Sequence, residues 1–182
     1  PVLFYSLYIN NIFFTLILFL IFFLSFYEIL QNTKNILFIF LSSSIIVLSL
    51  YSFDYLRGDT NNSLIVICWI LISTFLSDIG GYVFGRIFKG KKLTKISPNK
   101  TYSGSIGSLI FSTISLPFLS LFQFFIIKED LINFYQLKYL LLTILISVVC
   151  QLGDLYVSFW KRKINIKNIS NLLPGHGGLL DR

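Results

Sequence analysis

The sequence predicts an all-α fold, a polytopic bundle of about five transmembrane helices. Hydrophobic residues make up 55% of the 182-residue chain and charged residues only 13%, whereas a soluble domain usually has about 25% charged residues. Five apolar runs are long enough to cross a bilayer, which takes roughly 20 mainly apolar residues. A secretory signal is followed by a polar body, and this sequence has none. The composition therefore indicates an integral membrane protein.

The predicted spans follow one another with short polar connections. They are Leu7–Tyr27, Ile36–Phe53, Leu64–Phe88, Ile106–Ile127 and Tyr139–Trp160. The first two spans have little polar chemistry inside, so we interpret residues 1–62 as scaffold helices. Residues 63–182, with two basic segments, are expected to form the functional region. The sequence contains no methionine, and we expect it to be a fragment that lacks helices at one or both ends.

Basic residues are concentrated in two segments that flank the last two spans. Of the 15 lysines and arginines, six fall in the segment Arg86–Lys100 and five in Lys161–Arg182. Positively charged loops mark the cytoplasmic side of a membrane protein. Both segments are therefore predicted to be cytoplasmic, and Pro1 to be external. This bias alone accounts for some of the charge.

An aspartate interrupts the third span and another interrupts the fifth. Asp78 and Asp154 lie near the predicted cytoplasmic ends, where an intramembrane charge costs about 3 kcal/mol and marks a candidate functional residue. Steps of three and four residues place small or polar side chains on the same helical faces. These are Thr74, Gly81 and Gly85 in the third span, and Ser147, Gln151, Ser158 and Lys161 in the fifth. We expect these faces to meet each other or a shared water-filled cavity.

Two carboxylates beneath two cationic segments suit one kind of ligand. Mg²⁺ binds one or two carboxylates together with phosphate oxygens and water, so the pair favours a metal that bridges a polyphosphate. Two alternatives remain open on spacing alone. The aspartates could relay protons in a transporter, or could hydrogen-bond within the helix bundle. Cys68 and Cys150 have no metal-ligand spacing and are interpreted as small packing residues.

Two loop sequences strengthen the phosphate interpretation. Ser97, Lys100 and Thr101 directly precede the fourth span, and the N-terminus of a helix offers free N–H groups to an anion. Near the C-terminus, three glycines surround the single histidine, His176. Glycine permits backbone conformations that bring N–H groups close to a ligand. His176 could donate to a phosphate or ligate a metal.

Four ordered blocks, between Leu71 and Arg182, resemble the phosphatidate cytidylyltransferases, also called CDP-diacylglycerol synthases. The first three blocks are Ser77-Asp78-x-Gly80-x-Tyr82-x-x-Gly85-Arg86, Lys95-Ile96-Ser97-Pro98-x-Lys100-Thr101 and Gln151-x-Gly153-Asp154. The last is Ser158-x-x-Lys161-Arg162, Lys167, Ser170, Leu173-Pro174-x-His176-Gly177-Gly178 and Asp181-Arg182. Three positions depart from the usual family pattern: Ser103, Trp160 and Asn168, the last replacing an aspartate.

The resemblance implies transfer of a cytidylyl group from CTP to phosphatidate, giving CDP-diacylglycerol and pyrophosphate for phospholipid synthesis. It implies a bound Mg²⁺ ion, with a second cation as a further option. The implied metal ligands are Asp154, Asp78 and Asp181. The other implied catalytic residues are Lys161, Arg162, Lys167 and His176. The implied substrate-binding residues are Ser97, Pro98, Lys100, Thr101, Gly177, Gly178 and Arg182.

The resemblance also implies where the protein acts and what it contacts. We expect it in the bacterial inner membrane, in contact with lipid and with an active site that faces the cytoplasm. A homodimer is a further option, and no nucleic-acid partner is expected. The alternative enzyme is a CTP-dependent kinase of a lipid alcohol such as polyprenol, which releases CDP. The non-enzymatic alternatives are a transporter and a lipid-binding membrane protein.

Overall fold

The computed structural model describes residues 11–58, 60–94, 97, 100–123 and 132–163. These residues form helices whose bounds are α1 Asn11–Asn32, α2 Ile36–Arg57, α3 Asn61–Phe88, α4 Tyr102–Thr113, α5 Ser115–Phe122 and α6 Leu137–Lys163. Five stretches are long and apolar enough to cross a membrane, with α4 and α5 together forming the fourth. The predicted all-α class and the five spans are confirmed. Residues 7–10 and 124–127, at two predicted span edges, lie outside the described part.

The fourth span begins one turn earlier than its hydrophobicity predicts and is broken in its middle. The Thr101 side chain accepts a hydrogen bond from the Gly104 N–H at 3.1 Å, which is the standard way to begin a helix. The break falls at Ile114, between α4 and α5. Pro117 has no N–H to donate to the carbonyl four residues earlier, so one helical hydrogen bond is missing at this point.

The described residues fall into two compact units. The first comprises α1, α2, the start of α3 and the last turn of α6 from Trp160 onward. In this unit the ring of Phe38 stacks on Trp160 with centroids 4.8 Å apart, and Phe14 is fully buried. The second unit is Ile65–Phe159 and contains most of α3, all of α4 and α5, and α6 up to Phe159. The functional division at residue 62 stays a prediction.

Helix α3 is tied to α5 and α6 by side-chain hydrogen bonds in the interior of the second unit. The hydroxyl groups of Ser73 and Ser115 are 2.8 Å apart, and those of Ser77 and Ser147 are 2.7 Å apart. The Trp69 indole donates to Thr143 at 3.1 Å. These bonds satisfy polar groups that would otherwise be costly in an apolar interior. An apolar core packs beside them: Ile65, Trp69, Leu116, Leu119 and Phe134.

Helix α3 approaches α4 most closely where both helices have glycine. A Cβ atom built on Gly104 would lie 2.8 Å from the Gly81 carbonyl oxygen and 3.4 Å from the Cα of Gly85. Gly80 and Gly107 face each other in the same manner, one turn deeper. The sequence predicted that the glycine face of the third span meets the fifth span or a cavity. Gly81 and Asp78 of this face do line a cavity. The structure also packs the glycines against the fourth span, which was not predicted, because small residues allow two backbones to touch.

Candidate functional site

Three helices of the second unit enclose a cavity of about 250 Å³. Asp78 of α3 and Asp154 of α6 both line it, together with Lys100, which directly precedes the Thr101 cap of α4. Asp78 and Lys100 are 22 positions apart in the chain, and Lys100 and Asp154 are 54 positions apart, so only folding brings the three residues together. The structure thus brings the two intramembrane carboxylates to one cavity, as their helical spacing predicted.

Lys100 and Asp154 form an ion pair across the cavity. The Lys100 Nζ atom lies 2.8 Å from Asp154 Oδ2, a distance typical of a charge-assisted hydrogen bond. The Lys100 side chain is 29% exposed and that of Asp154 is 57% exposed. Neither side chain is buried, so both groups are accessible to a ligand that enters the cavity.

Asp78 of α3 contacts a thiol on α6, the helix that also carries Asp154. The Cys150 Sγ–H group donates to Asp78 Oδ1 at 3.8 Å. Cys150 precedes Asp154 by one turn of α6, so the same face of α6 meets both Asp78 and Lys100. Sequence analysis missed this contact, because a single cysteine in an apolar run carries no local signal for a partner 72 residues away.

The floor of the cavity consists of neutral polar groups that join α4 to α6. The Ser105 hydroxyl hydrogen-bonds the Gln151 side-chain oxygen, and the Gln151 amide group is 3.4 Å from the Ser105 carbonyl. Both residues line the cavity, as does Ser108. The sequence analysis assigned no role to Ser105 or Ser108. Their spacing of three residues on α4 was the available signal.

The basic loop doubles back before α4, and this fold positions three predicted residues. The Leu93 N–H donates to the Lys100 carbonyl at 2.8 Å, and the Tyr102 N–H to the Lys91 carbonyl at 3.1 Å. Ser97 is joined to the same turn through its carbonyl, which accepts from the Lys100 N–H. As a result, the predicted residues Ser97, Lys100 and Thr101 all line the cavity beside the N-terminus of α4.

The remaining predicted site residues lie elsewhere or outside the described part. Lys161 and Arg162 are in the last turn of α6, in the first unit, and they are not among the residues that line the cavity. The others lie outside the described residues: Pro98, Lys167, His176, Gly177, Gly178, Asp181 and Arg182. The chemical role of every predicted residue stays a prediction.

The donor set of the cavity fits magnesium shared with a ligand. Within the described residues, no group of three or more histidine, cysteine, aspartate or glutamate side chains could cage a metal. Magnesium does not need such a cage, because it usually takes one or two carboxylates and completes its shell with water and phosphate oxygens. Asp78 and Asp154 supply two carboxylates in an accessible cavity with further oxygen donors on Ser105 and Gln151.

Comparisons with known proteins place the chain in a family. Residues 1–182 match the model of the cytidylyltransferase family. The chain is similar to the phosphatidate cytidylyltransferase of Staphylococcus haemolyticus, with 41% identity over 131 residues that cover 71% of this chain and 48% of the relative. It is 34% identical to that of Rickettsia conorii over 128 residues (68% and 53%), and 30% identical to that of Rickettsia typhi over 156 residues (84% and 66%). The chain spans about half of the length of the first relatives, and it belongs to the cytidylyltransferase family.

Proposed function

We propose that the full-length protein transfers a cytidylyl group from CTP to phosphatidate and releases pyrophosphate. The observation that carries the proposal is the cavity in which Asp78, Asp154 and Lys100 meet beside a helix N-terminus. Relatives that match the chain are named phosphatidate cytidylyltransferase. A site that combines two carboxylates, a lysine and the positive end of a helix dipole suits a nucleoside triphosphate with its magnesium ion.

The reaction joins two anions, so the site must reduce their repulsion. A phosphate oxygen of phosphatidate forms a bond to the α-phosphorus of CTP, and the bond from that phosphorus to the β-phosphate oxygen breaks. The electron pair leaves with pyrophosphate. Such phosphoryl chemistry depends mainly on positioning and on charge neutralisation.

Residues of the described cavity account for part of that work. Asp78 and Asp154 would hold the magnesium ion, which supplies Lewis-acid polarisation of the phosphates when bound. Lys100 would neutralise phosphate oxygens, and Thr101 at the start of α4 would orient them against the helix N-terminus. Ser97 also lines the cavity and would donate its hydroxyl group to a phosphate oxygen.

The C-terminal segment is assigned the remaining roles in this proposal. Lys161, Arg162 and Lys167 would bind the triphosphate and the departing pyrophosphate. His176, Gly177 and Gly178 would line the pocket, Asp181 would add a carboxylate to the metal, and Arg182 would bind substrate. Lys161 follows Asp154 by seven residues, or about two turns of a helix, so both project from the same side of α6.

The proposed surroundings follow from the helices and the relatives. The chain has five helices that could cross a membrane, and the relatives are bacterial. We place the protein in the bacterial inner membrane with the cavity facing the cytoplasm, because the basic segment Arg86–Lys100 contributes Lys100 to the cavity and positively charged loops mark the cytoplasmic side. Phosphatidate would enter sideways, with its acyl chains remaining in lipid. A homodimer formed through membrane helices is part of the same proposal.

The decisive experiment identifies the products of the full-length protein in lipid nanodiscs. Incubation with phosphatidate and CTP labelled at the α-phosphorus should place the label in the lipid, and CTP labelled at the γ-phosphorus should yield labelled pyrophosphate. In a parallel incubation with a lipid alcohol such as polyprenol, label from the γ-phosphorus in the lipid and release of CDP would instead show a CTP-dependent lipid kinase. Binding of CTP without either product would show a non-catalytic lipid-binding protein.

A further inference from the structure

The Lys100–Asp154 ion pair places a cation on the carboxylate that is proposed to hold magnesium. The Lys100 Nζ atom lies 2.8 Å from one carboxylate oxygen of Asp154, Oδ2. A divalent cation that binds Asp154 in the same cavity must compete with this ammonium group for the carboxylate. The two binding events are therefore linked through a single side chain.

The pair is suited to exchange partners. Ion pairs between partly exposed side chains contribute little to stability, because water solvates both charges when they separate. With side-chain exposures of 29% and 57%, the pair is open to the cavity, so a bound cation or phosphate can replace either partner. A lysine side chain is a flexible stem with a compact charge, so its ammonium group can move while its backbone stays fixed.

A nucleotide bound in the cavity would offer Lys100 a second anionic partner. The next residue, Thr101, caps α4, and the positive end of the helix dipole favours an anion at this point. Phosphate oxygens bound in the cavity would attract the Lys100 ammonium group in the same way as the Asp154 carboxylate does. The backbone of Lys100 is held by the Leu93 N–H at 2.8 Å, which keeps the side chain within reach of both partners.

We infer that Lys100 is a placeholder cation, which neutralises Asp154 before substrate arrives and transfers to the nucleotide phosphates when the metal binds. The inference rests on the proposed function and adds a thermodynamic coupling between metal binding and nucleotide binding. Phosphate draws Lys100 away from Asp154 and so strengthens metal binding, and by linkage the metal strengthens phosphate binding. The empty site is kept from binding magnesium tightly without nucleotide.

The test measures metal binding without nucleotide, which needs no catalysis. Full-length protein in phosphatidylcholine nanodiscs is titrated with Mn²⁺, and free Mn²⁺ is followed by electron paramagnetic resonance. Lys100→Gln removes the competing charge and should tighten Mn²⁺ binding by about tenfold, between the limits expected for solvent-exposed and buried charges. The same variant should raise the KM for CTP at saturating Mg²⁺. Opposite changes for the two ligands distinguish partner exchange from general damage to the fold.

Two further variants make the result specific. Lys91→Gln removes the same charge from an exposed position in the same loop, outside the cavity lining, and should change Mn²⁺ affinity less than about twofold because solvent screens it. Asp154→Asn should weaken Mn²⁺ binding and abolish the effect of Lys100→Gln in the double variant.

Two outcomes overturn the inference in distinguishable ways. If Lys100→Gln binds Mn²⁺ with wild-type affinity while Asp154→Asn binds it weakly, the metal assignment stands and the placeholder role is wrong. If Asp154→Asn binds Mn²⁺ as the wild type does, both the placeholder role and the proposed metal ligand are wrong. The labelled-CTP assay decides separately whether the protein transfers a cytidylyl group.

Discussion

The glycine contact between α3 and α4 yields a prediction whose size follows from the geometry. We consider Gly104→Ala, which adds one methyl group at the cavity end of α4. The new Cβ would lie 2.8 Å from the Gly81 carbonyl oxygen, 3.2 Å from Thr101 Oγ1 and 3.4 Å from the Cα of Gly85. Two of these neighbours are backbone atoms and cannot rotate away, so the helices must separate by several tenths of an ångström.

The magnitude combines two opposing effects. Alanine in place of glycine stabilises a helix interior by about 1 kcal/mol and contributes at most this much in the first turn, where Gly104 lies. Overpacking of a close contact costs typically 1–3 kcal/mol, and we take about 2 kcal/mol. The expected net loss at Gly104 is therefore about 1–2 kcal/mol in the free energy of unfolding. Gly153→Ala in α6 is the matched control, because nothing lies within 4 Å of its added Cβ. That variant should gain stability.

The assay compares both variants with the wild type by unfolding full-length protein in mixed detergent micelles. A lower free energy of unfolding for Gly104→Ala and a higher one for Gly153→Ala support the close approach of α3 and α4. Because Gly104 lines the cavity, the destabilised variant should also lose cytidylyl transfer. Equal stabilisation by the two substitutions would refute the packing argument.

Three other changes test separate parts of the molecule. Asp154→Asn should abolish Mg²⁺- and CTP-dependent pyrophosphate release while membrane insertion, measured by fractionation, stays intact; near-normal turnover would disprove the metal role. Lys161→Ala should raise the KM for the anionic substrates in steady-state assays. Unchanged kinetics at physiological salt would show that Lys161 only contributes to the positive charge that orients the helices in the membrane. A double-mutant cycle of Phe38→Leu and Trp160→Leu should give a coupling energy of about 1 kcal/mol in unfolding measurements. A coupling near zero would show that the stacked rings do not hold the last turn of α6.

The spans were predictable because each is a long apolar run, but their exact starts depended on single polar groups. The fourth span begins at Tyr102 rather than at the predicted Ile106, since the Thr101 side chain caps the helix before its hydrophobic part starts. The break at Ile114 was also missed. Pro117 lies inside an otherwise uninterrupted apolar stretch, and hydropathy does not register the loss of one backbone donor.

For the site, local spacing identified which residues share a face, but not which helix that face meets. Asp78 and Asp154 were found because a charge within a span is costly and therefore rare. The ion pair between Lys100 and Asp154 joins residues 54 positions apart, and no periodicity within one helix reveals such a partner. The same holds for the Cys150 contact with Asp78.

The hydroxyl pairs along α3 limit how this helix can be oriented about its own axis. Ser73 and Ser77 lie one turn apart on the same face of α3, and each is hydrogen-bonded to a different neighbouring helix. Rolling α3 by a single residue, about 100°, would move both hydroxyl groups away from Ser115 and Ser147 and break the two hydrogen bonds. These neutral hydroxyl groups therefore fix the direction in which Asp78, the residue after Ser77, leaves the helix.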